Sequence, residues 1–403
     1  DGEKRVDVEY RHSGGFTLVR SDTIVLDATA PTDPAVTSSS HTEGVGSADD
    51  TVDVELSGAS DGAGSGVDGF SISWSEGAIE VPDTVKDLEA SETATTSPAL
   101  TPGSWYANVR TVDVVGNWTS TAHAGPFVID TSGPVVSDDA PAGWARPTVL
   151  LTLSATDTVS GVDHIDYLVT DPPSGGVWSG SAASDTATLT ISLEGTTTVE
   201  YSAVNGAGSR SATETALVRV DGTAPTTSDD APTGWQPDDV TVTLAAFDAL
   251  SGVQDTFYRL DGGTVEPYSG AFVVDGTGTI DVEYWSVDAA GNEETTQTAV
   301  VTIDRSLPSA DHTAPADWSA SDVSAVLSAV DAESGIDYID YVVTDPPPGG
   351  VWSGSAASDT VTLTISAEGT TTIEYSADNG AGSRSATGTA SVRVDESAPT
   401  DPS

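Results

Sequence analysis

Aspartate recurs in this sequence at fixed positions within three kinds of loop. A joint of the form Asp221-Gly222-Thr223-Ala224-Pro225 has variants beginning at Asp27, Asp130, Asp304 and Asp395, and successive joint aspartates stand 103, 91, 83 and 91 residues apart. An acidic loop follows the first long apolar stretch after each joint: Asp61 to Asp68, Asp157 to Asp163, Asp248 to Val253, and Asp331 to Asp337. A second loop precedes the last apolar stretch, reading Asp113-Val114-Val115-Gly116-Asn117, Asn205-Gly206-Ala207-Gly208, Asp288-Ala289-Ala290-Gly291-Asn292 and Asp378-Asn379-Gly380-Ala381-Gly382. Carboxylate and amide oxygens in this number suit a hard cation such as calcium. The same residue types also form turns by binding their own backbone, and that reading stays open beside the ionic one.

A repeat near 90 residues implies a string of small modules, each with a modest core. Residues 222–304 show the pattern best. Val240, Val242 and Leu244 alternate with polar residues, Phe257 to Leu260 leads to a turn at Asp261-Gly262-Gly263, and Phe272 to Val274, Ile280 to Trp285 and Val300 to Ile303 follow. Short strands separated by turn residues predict an all-β chain of tandem β-sandwiches forming an extended array. The boundaries read 28–130, 131–221, 222–304 and 305–395 for four modules, with 1–27 the C-terminal half of a preceding module and 396–403 the start of a following one. The hairpin in 1–27 turns at Ser13-Gly14-Gly15, and its Val6 to Tyr10 echoes Ile280 to Tyr284. Two strands alone are not a stable domain. The chain is therefore expected to be a window of something longer, or to have its ends completed by neighbours.

Modules two and four are near-copies: Val162 to Asp221 and Ile336 to Asp395 agree at 50 of 60 positions, loops included. Recent duplication or a shared self-contact surface would leave that record. Formal charge is −50, from 63 acidic and 13 basic residues. Nucleic acid and anionic membrane are repelled, and cations are the natural partners. Carboxylate in such excess calls for salt or a divalent ion to screen it, which points to an extracellular or cell-surface setting. Absence of cysteine removes disulfides, thiolate metal sites and thiol nucleophiles. No apolar run reaches the roughly 18 residues of a spanning helix, so direct membrane insertion is not expected of this stretch. His12, His41, His123, His164 and His312 lack zinc spacing, and Lys4 and Lys86 sit in no phosphate loop. No enzyme activity is expected.

With its Asp-x-x-Ser-Gly-Val loops, Asp-x-x-Gly-Asn turns and Asp-x-Thr-x-Pro joints, the chain resembles the bacterial immunoglobulin-like and fibronectin type III-like tandem repeats of large cell-surface proteins. The resemblance covers nearly the whole chain; module one departs most, through Gly64-Ser65-Gly66, and modules two and four lose the turn motif. In a sandwich of this topology both loops lie at the end where the chain enters, beside the joint. Asp221, Asp248, Asp288 and Asn292 would then form one cation shell, and Asp304, Asp331, Glu333 and Asp378 another. Asp27, Asp61 and Asp113, and Asp130 with Asp157, occupy the corresponding places. Some members of the resembled repeats stiffen their joints with calcium, and the resemblance implies calcium here.

Among the nine tryptophans, Trp144, Trp235 and Trp318 follow a joint at similar positions and are expected to close the end of a sandwich. Trp118, Trp178 and Trp352 are candidates for stacking on a sugar or a neighbouring chain. The first functional reading is a stalk or spacer of a cell-surface adhesin. The alternatives are a self-assembling extracellular filament, in which copies complete each other's terminal half-modules, and an accessory array that binds carbohydrate for an exported enzyme. Expected partners are copies of itself or neighbouring modules, with glycans or cell-surface components as further candidates.

Overall fold

The structure is a computed structural model describing residues 1–172, 175–346 and 349–399. Its regular elements are all strands among the described residues. The chain divides into two compact units, Asp1–Val220 and Asp221–Ser403.

In the first unit, strands Gly2–Arg11 and Thr17–Leu26 pair as an antiparallel hairpin. Alternation puts Val6, Val8, Tyr10, Leu18, Ile24 and Leu26 on one face, and all six are exposed. The pairing also corrects the sequence match to the third module. Gly2 stands opposite Leu26 as Gly278 stands opposite Ile303, and both glycines adopt a φ of +94°, a conformation that favours a residue lacking Cβ. Val6 is therefore level with Val282 rather than Ile280. A shift of two keeps the same face inward, which is why the strand pattern alone did not reveal it.

Module two shows the plan that the modules share. Val135–Asp138, Val149–Thr156 and Thr186–Ile191 form a three-stranded sheet. Facing it is a five-stranded sheet in the order Trp144–Ala145, Glu214–Val220, Gly195–Asn205, Val162–Thr170, Val177–Ala182. Leu151, Leu153, Ile165, Val169, Leu189, Ile191, Val199 and Val218 alternate inward from both sheets and fill the core. Each such side chain stabilises the fold by about 1.5–3 kcal/mol through burial. Gly180 has a packing reason: a Cβ there would lie 2.3 Å from the Tyr167 hydroxyl. Module one has the same two layers, with Val52, Val54, Ala107, Phe127 and Ile129 at its centre.

In the second unit, module four repeats the plan of module two, with a core of Ala325, Leu327, Ile339, Val343, Ile365, Ile373 and Val392. Module three differs in one strand, which breaks at Thr243. Val240–Val242 pairs with Phe272–Val274, and Leu244–Phe247 pairs with Thr226–Asp229. The Thr243 N–H at the break is taken up by Asp230 Oδ1 at 2.6 Å.

One polar tie joins the two sheets. The Tyr201 hydroxyl donates to Asp138 Oδ2 at 2.7 Å, and that of Tyr284 to Asp229 Oδ2 at 2.6 Å. Burial, followed by the neighbouring carboxylate, pushes both phenols above their ordinary pKa, so they remain donors. In module four His312 takes the aspartate's place, its ring edge-on to Tyr375 at 5.8 Å between centroids.

The tryptophans that follow the joints do not close the core. Trp144, Trp235 and Trp318 each open a two-residue strand running parallel to the last strand of the module. They lie on the rim, and Trp318 is 58% exposed. A short rim strand cannot project its side chain between sheets that have already met.

Candidate metal centre

Each module receives the chain through its joint aspartate, and the surrounding backbone fixes where that carboxylate points. Asp221 is fully buried. Its Oδ1 accepts the Thr223 N–H at 3.0 Å, and its Oδ2 accepts the Ser251 N–H at 2.9 Å from the acidic loop. In that loop Asp248 Oδ1 accepts the N–H groups of Leu250 and Gly252, curling the chain so that the carboxylate faces the joint. Asp288, also fully buried, accepts the Asn292 N–H and the Asn292 side-chain amide, each at 2.8 Å. The same amide donates to the Asp221 carbonyl at 2.9 Å. Asn292 therefore braces the turn against the joint.

As a result, one carboxylate oxygen from each of Asp221, Asp248 and Asp288 lies within 4.8 Å of the others. Asp27, Asp61 and Asp113 converge in the same way in module one. There the Ser65 N–H donates to Asp27 at 2.6 Å, the Gly66 N–H to Asp61 at 2.6 Å, and the Asn117 amide to Asp113 at 2.7 Å. The hydrogen bonds to Asp27, that from the Ser65 backbone foremost, hold its carboxyl below the usual range. Among the described residues, none of these six carboxylates forms an ion pair with lysine or arginine. Three converging carboxylates are a hard-oxygen donor set of the kind calcium takes.

Modules two and four build the same corner differently. The residue at the turn is Asn205 or Asn379, the position held by Asp113 and Asp288 in the other two modules, since each pairs with the start of the neighbouring long strand. The Asn205 amide donates to Asp130 Oδ2 at 2.8 Å, to Asp157 Oδ2 at 3.2 Å and to the Ser132 carbonyl at 2.8 Å. Asn379 does the same to Asp304 at 3.0 Å, Asp331 at 3.1 Å and the Ser306 carbonyl at 3.1 Å. An amide nitrogen thus occupies the space between carboxylates where the other two modules have a third carboxylate. Burial pushes Asp304 up, but hydrogen bonds from Ser306 and Ser334 outweigh it and hold the carboxyl at about 2. Asp157 is likewise lowered, because the amide of Asn205 and three loop N–H groups outweigh its burial.

Two residues named from the sequence stand apart from these corners. Asp378 precedes the turn by one position, so strand alternation turns it away, and it pairs with Arg384 at 2.7 Å. Glu333 is exposed, with its N–H donating to Asp331 Oδ1 at 3.2 Å. Asn205 and Asn379 were the residues that sequence reasoning missed. Aligning the turns on their Gly-x-Gly and Gly-Asn ends, rather than on the first acidic residue, would have found them.

The three candidate contact aromatics are partly engaged. Trp118 is half-buried beneath Arg110, whose guanidinium carbon lies 5.5 Å from the ring centroid. Trp178 and Trp352 meet Tyr167 and Tyr341 edge-on at 5.9 Å, and their indole N–H groups donate to Asp171 and Asp345. They remain 38% and 39% exposed at the open side of the sandwich.

No family model matches the chain. No curated protein matches it either. Among solved structures, the fibronectin(III)-like modules of Clostridium thermocellum CbhA align with a TM-score of 0.24 and 18% identity, covering 42% of this chain and 94% of that one. The FN1-FN3 domains of chicken CNTN1 align with a TM-score of 0.26 and 12% identity, covering 68% of this chain and 99% of theirs. Modules one, two and four each pack a three-stranded sheet on a five-stranded one, and module three packs two two-stranded ladders on a five-stranded one; by this sheet order the four are immunoglobulin-like and fibronectin type III-like β-sandwiches in tandem.

Proposed function

We propose that this chain is a stalk or spacer region of an extracellular cell-surface protein, with no catalytic role, in which calcium occupies the acidic corners of modules one and three. The observation that carries the reading is the wiring of the joint aspartates. Asp130, Asp221 and Asp304 are fully buried, and each is hydrogen-bonded to its module's acidic loop. A joint fastened in this way has few free torsions, which suits a part whose task is to hold distance. Within the first unit the Asp130 N–H also donates to the Ser47 carbonyl at 2.8 Å, and a Cβ on Gly46 would lie 2.8 Å from Ser160 Cβ. Module one there presses on the entry end of module two.

In this reading the residues holding calcium are Asp27, Asp61 and Asp113 in one corner and Asp221, Asp248 and Asp288 in the other. Modules two and four use the amides of Asn205 and Asn379 instead and need no ion. Small-angle scattering of the chain in millimolar calcium and after chelation tests the reading. A long, narrow particle supports the spacer, and a broader distance distribution after chelation supports calcium as the stiffening ion. A compact particle under both conditions removes the spacer. An identical distribution together with no calorimetric calcium binding removes the ion.

A further inference from the structure

Modules two and four differ from one and three at a place unrelated to the acidic corners. Among the described residues, the last strand of the five-stranded sheet pairs on one side only in every module. In module one that strand is only Leu88–Glu89, flanked by Lys86, which pairs with Asp68 and Glu89. In module three it is Glu266–Pro267. A short edge carrying charge or proline cannot template another strand, which is how sheet proteins avoid pairing edge to edge. In modules two and four the same position is a six-residue strand, Val177–Ala182 or Val351–Ala356, with the identical sequence Val-Trp-Ser-Gly-Ser-Ala.

These edges carry no charged residue and no proline. Their side chains leave apolar surface open, with Val177 66% and Val351 69% exposed, beside the half-exposed Trp178 and Trp352. The edges of the facing layer differ as well. Here the difference is one of length alone: Thr186–Ile191 and Thr360–Ile365 are six residues long, against three in Ala94–Thr96 and Phe272–Val274 of modules one and three. One chain therefore blunts this side of two modules and leaves it open in the other two.

We infer that the edge strands Val177–Ala182 and Val351–Ala356 are docking edges for a second copy of this chain, joined by antiparallel strand addition. The choice of occupant follows from charge. Antiparallel pairing about a two-fold axis sets each strand against its own counterpart, so an edge bearing acids would crowd them beside the partner's acids. Two chains of net charge −50 repel each other, and edge strands that carry no acid of their own oppose that approach least. Because the two edges within a chain are identical, each also fits the other. Backbone hydrogen bonds supply the attraction, and valine and tryptophan burial adds to it. This inference does not rest on the spacer reading or on calcium, so association is expected to persist in chelator.

Sedimentation velocity of the full chain, over a wide concentration range in salt high enough to screen its charge, tests the inference. The expected result is a weight-average mass that rises with concentration by about two-fold or more. The double variant Ser179→Asp/Ser353→Asp places carboxylates on both edges and is expected to stay at the monomer mass. The Ser179→Thr/Ser353→Thr variant is expected to associate like the parent. Far-ultraviolet circular dichroism and melting curves matching the parent establish that the variants are folded. A parent that remains monomeric at every concentration overturns the inference and leaves these edges to a strand of some other protein. Association that survives unchanged in the folded aspartate variant overturns it as well.

Discussion

The side-chain amide of Asn205 donates to the buried carboxylate of Asp130 over 2.8 Å, in the space that a third carboxylate borders in modules one and three. One amide nitrogen shares its two protons among two aspartates and a carbonyl, the bond to Asp157 being the longest at 3.2 Å. The same corner is thus built in two ways within one chain.

Replacing Asp113 or Asp288 by asparagine converts an acidic corner into the form seen in modules two and four. Each single variant is expected to lose one of two calcium sites in a calorimetric titration, and the double variant to lose both. Melting of the double variant should no longer respond to chelator.

Asn379→Ala takes the donor from between Asp304 and Asp331 and leaves buried carboxylate oxygens facing each other. Loss of charge-assisted hydrogen bonds of this kind costs about 1.5–3 kcal/mol. Chemical denaturation should show that loss, with module two unaffected. Asn205→Ala should produce the converse.

Acid should weaken module four in a defined window. The Asp304 carboxyl is held at about 2, below the 3.8 of an unperturbed aspartate. A depressed folded-state pKa stabilises the fold fully above the unfolded value, and that contribution is lost as pH falls from about 4 toward 2. The shift corresponds to roughly 2 kcal/mol. Asp304→Asn should flatten this part of the stability profile between those limits.

Tyr201→Phe and Tyr284→Phe each remove a hydroxyl bonded to a carboxylate between the sheets. A cost of about 1.5–3 kcal/mol is expected for each. Tyr375→Phe should cost less, because its ring edge meets His312 where the other modules have aspartate. Equilibrium unfolding of the three variants ranks them.

Much of this could be read from residues alone. Period-two alternation at Val240, Val242 and Leu244, and turn residues such as Asp261-Gly262-Gly263, announce strands and their ends, because burial on one face demands them. Asp221, Asp248 and Asp288 could be placed together once two loops and a joint were assigned to one end of a sandwich. The sequence was less informative where one residue of register decides direction. Asp378 and Asn379 are neighbours with similar turn preferences, and only the strand pleat shows that one faces Arg384 and the other the corner. Trp318 was expected by its size to close the end of a sandwich, but the length of its strand, invisible in composition, keeps it exposed at the rim.

The break between Val242 and Leu244 leaves module three with two short two-stranded ladders where modules two and four have one continuous three-stranded sheet. Strands loaded along their length resist through ladder bonds acting in parallel, so an interrupted ladder shears at lower force. Pulled from its ends, this chain should yield at its third module before modules two and four. Under a sudden tug such an element would lengthen the chain and relieve the tension before the two intact copies give way.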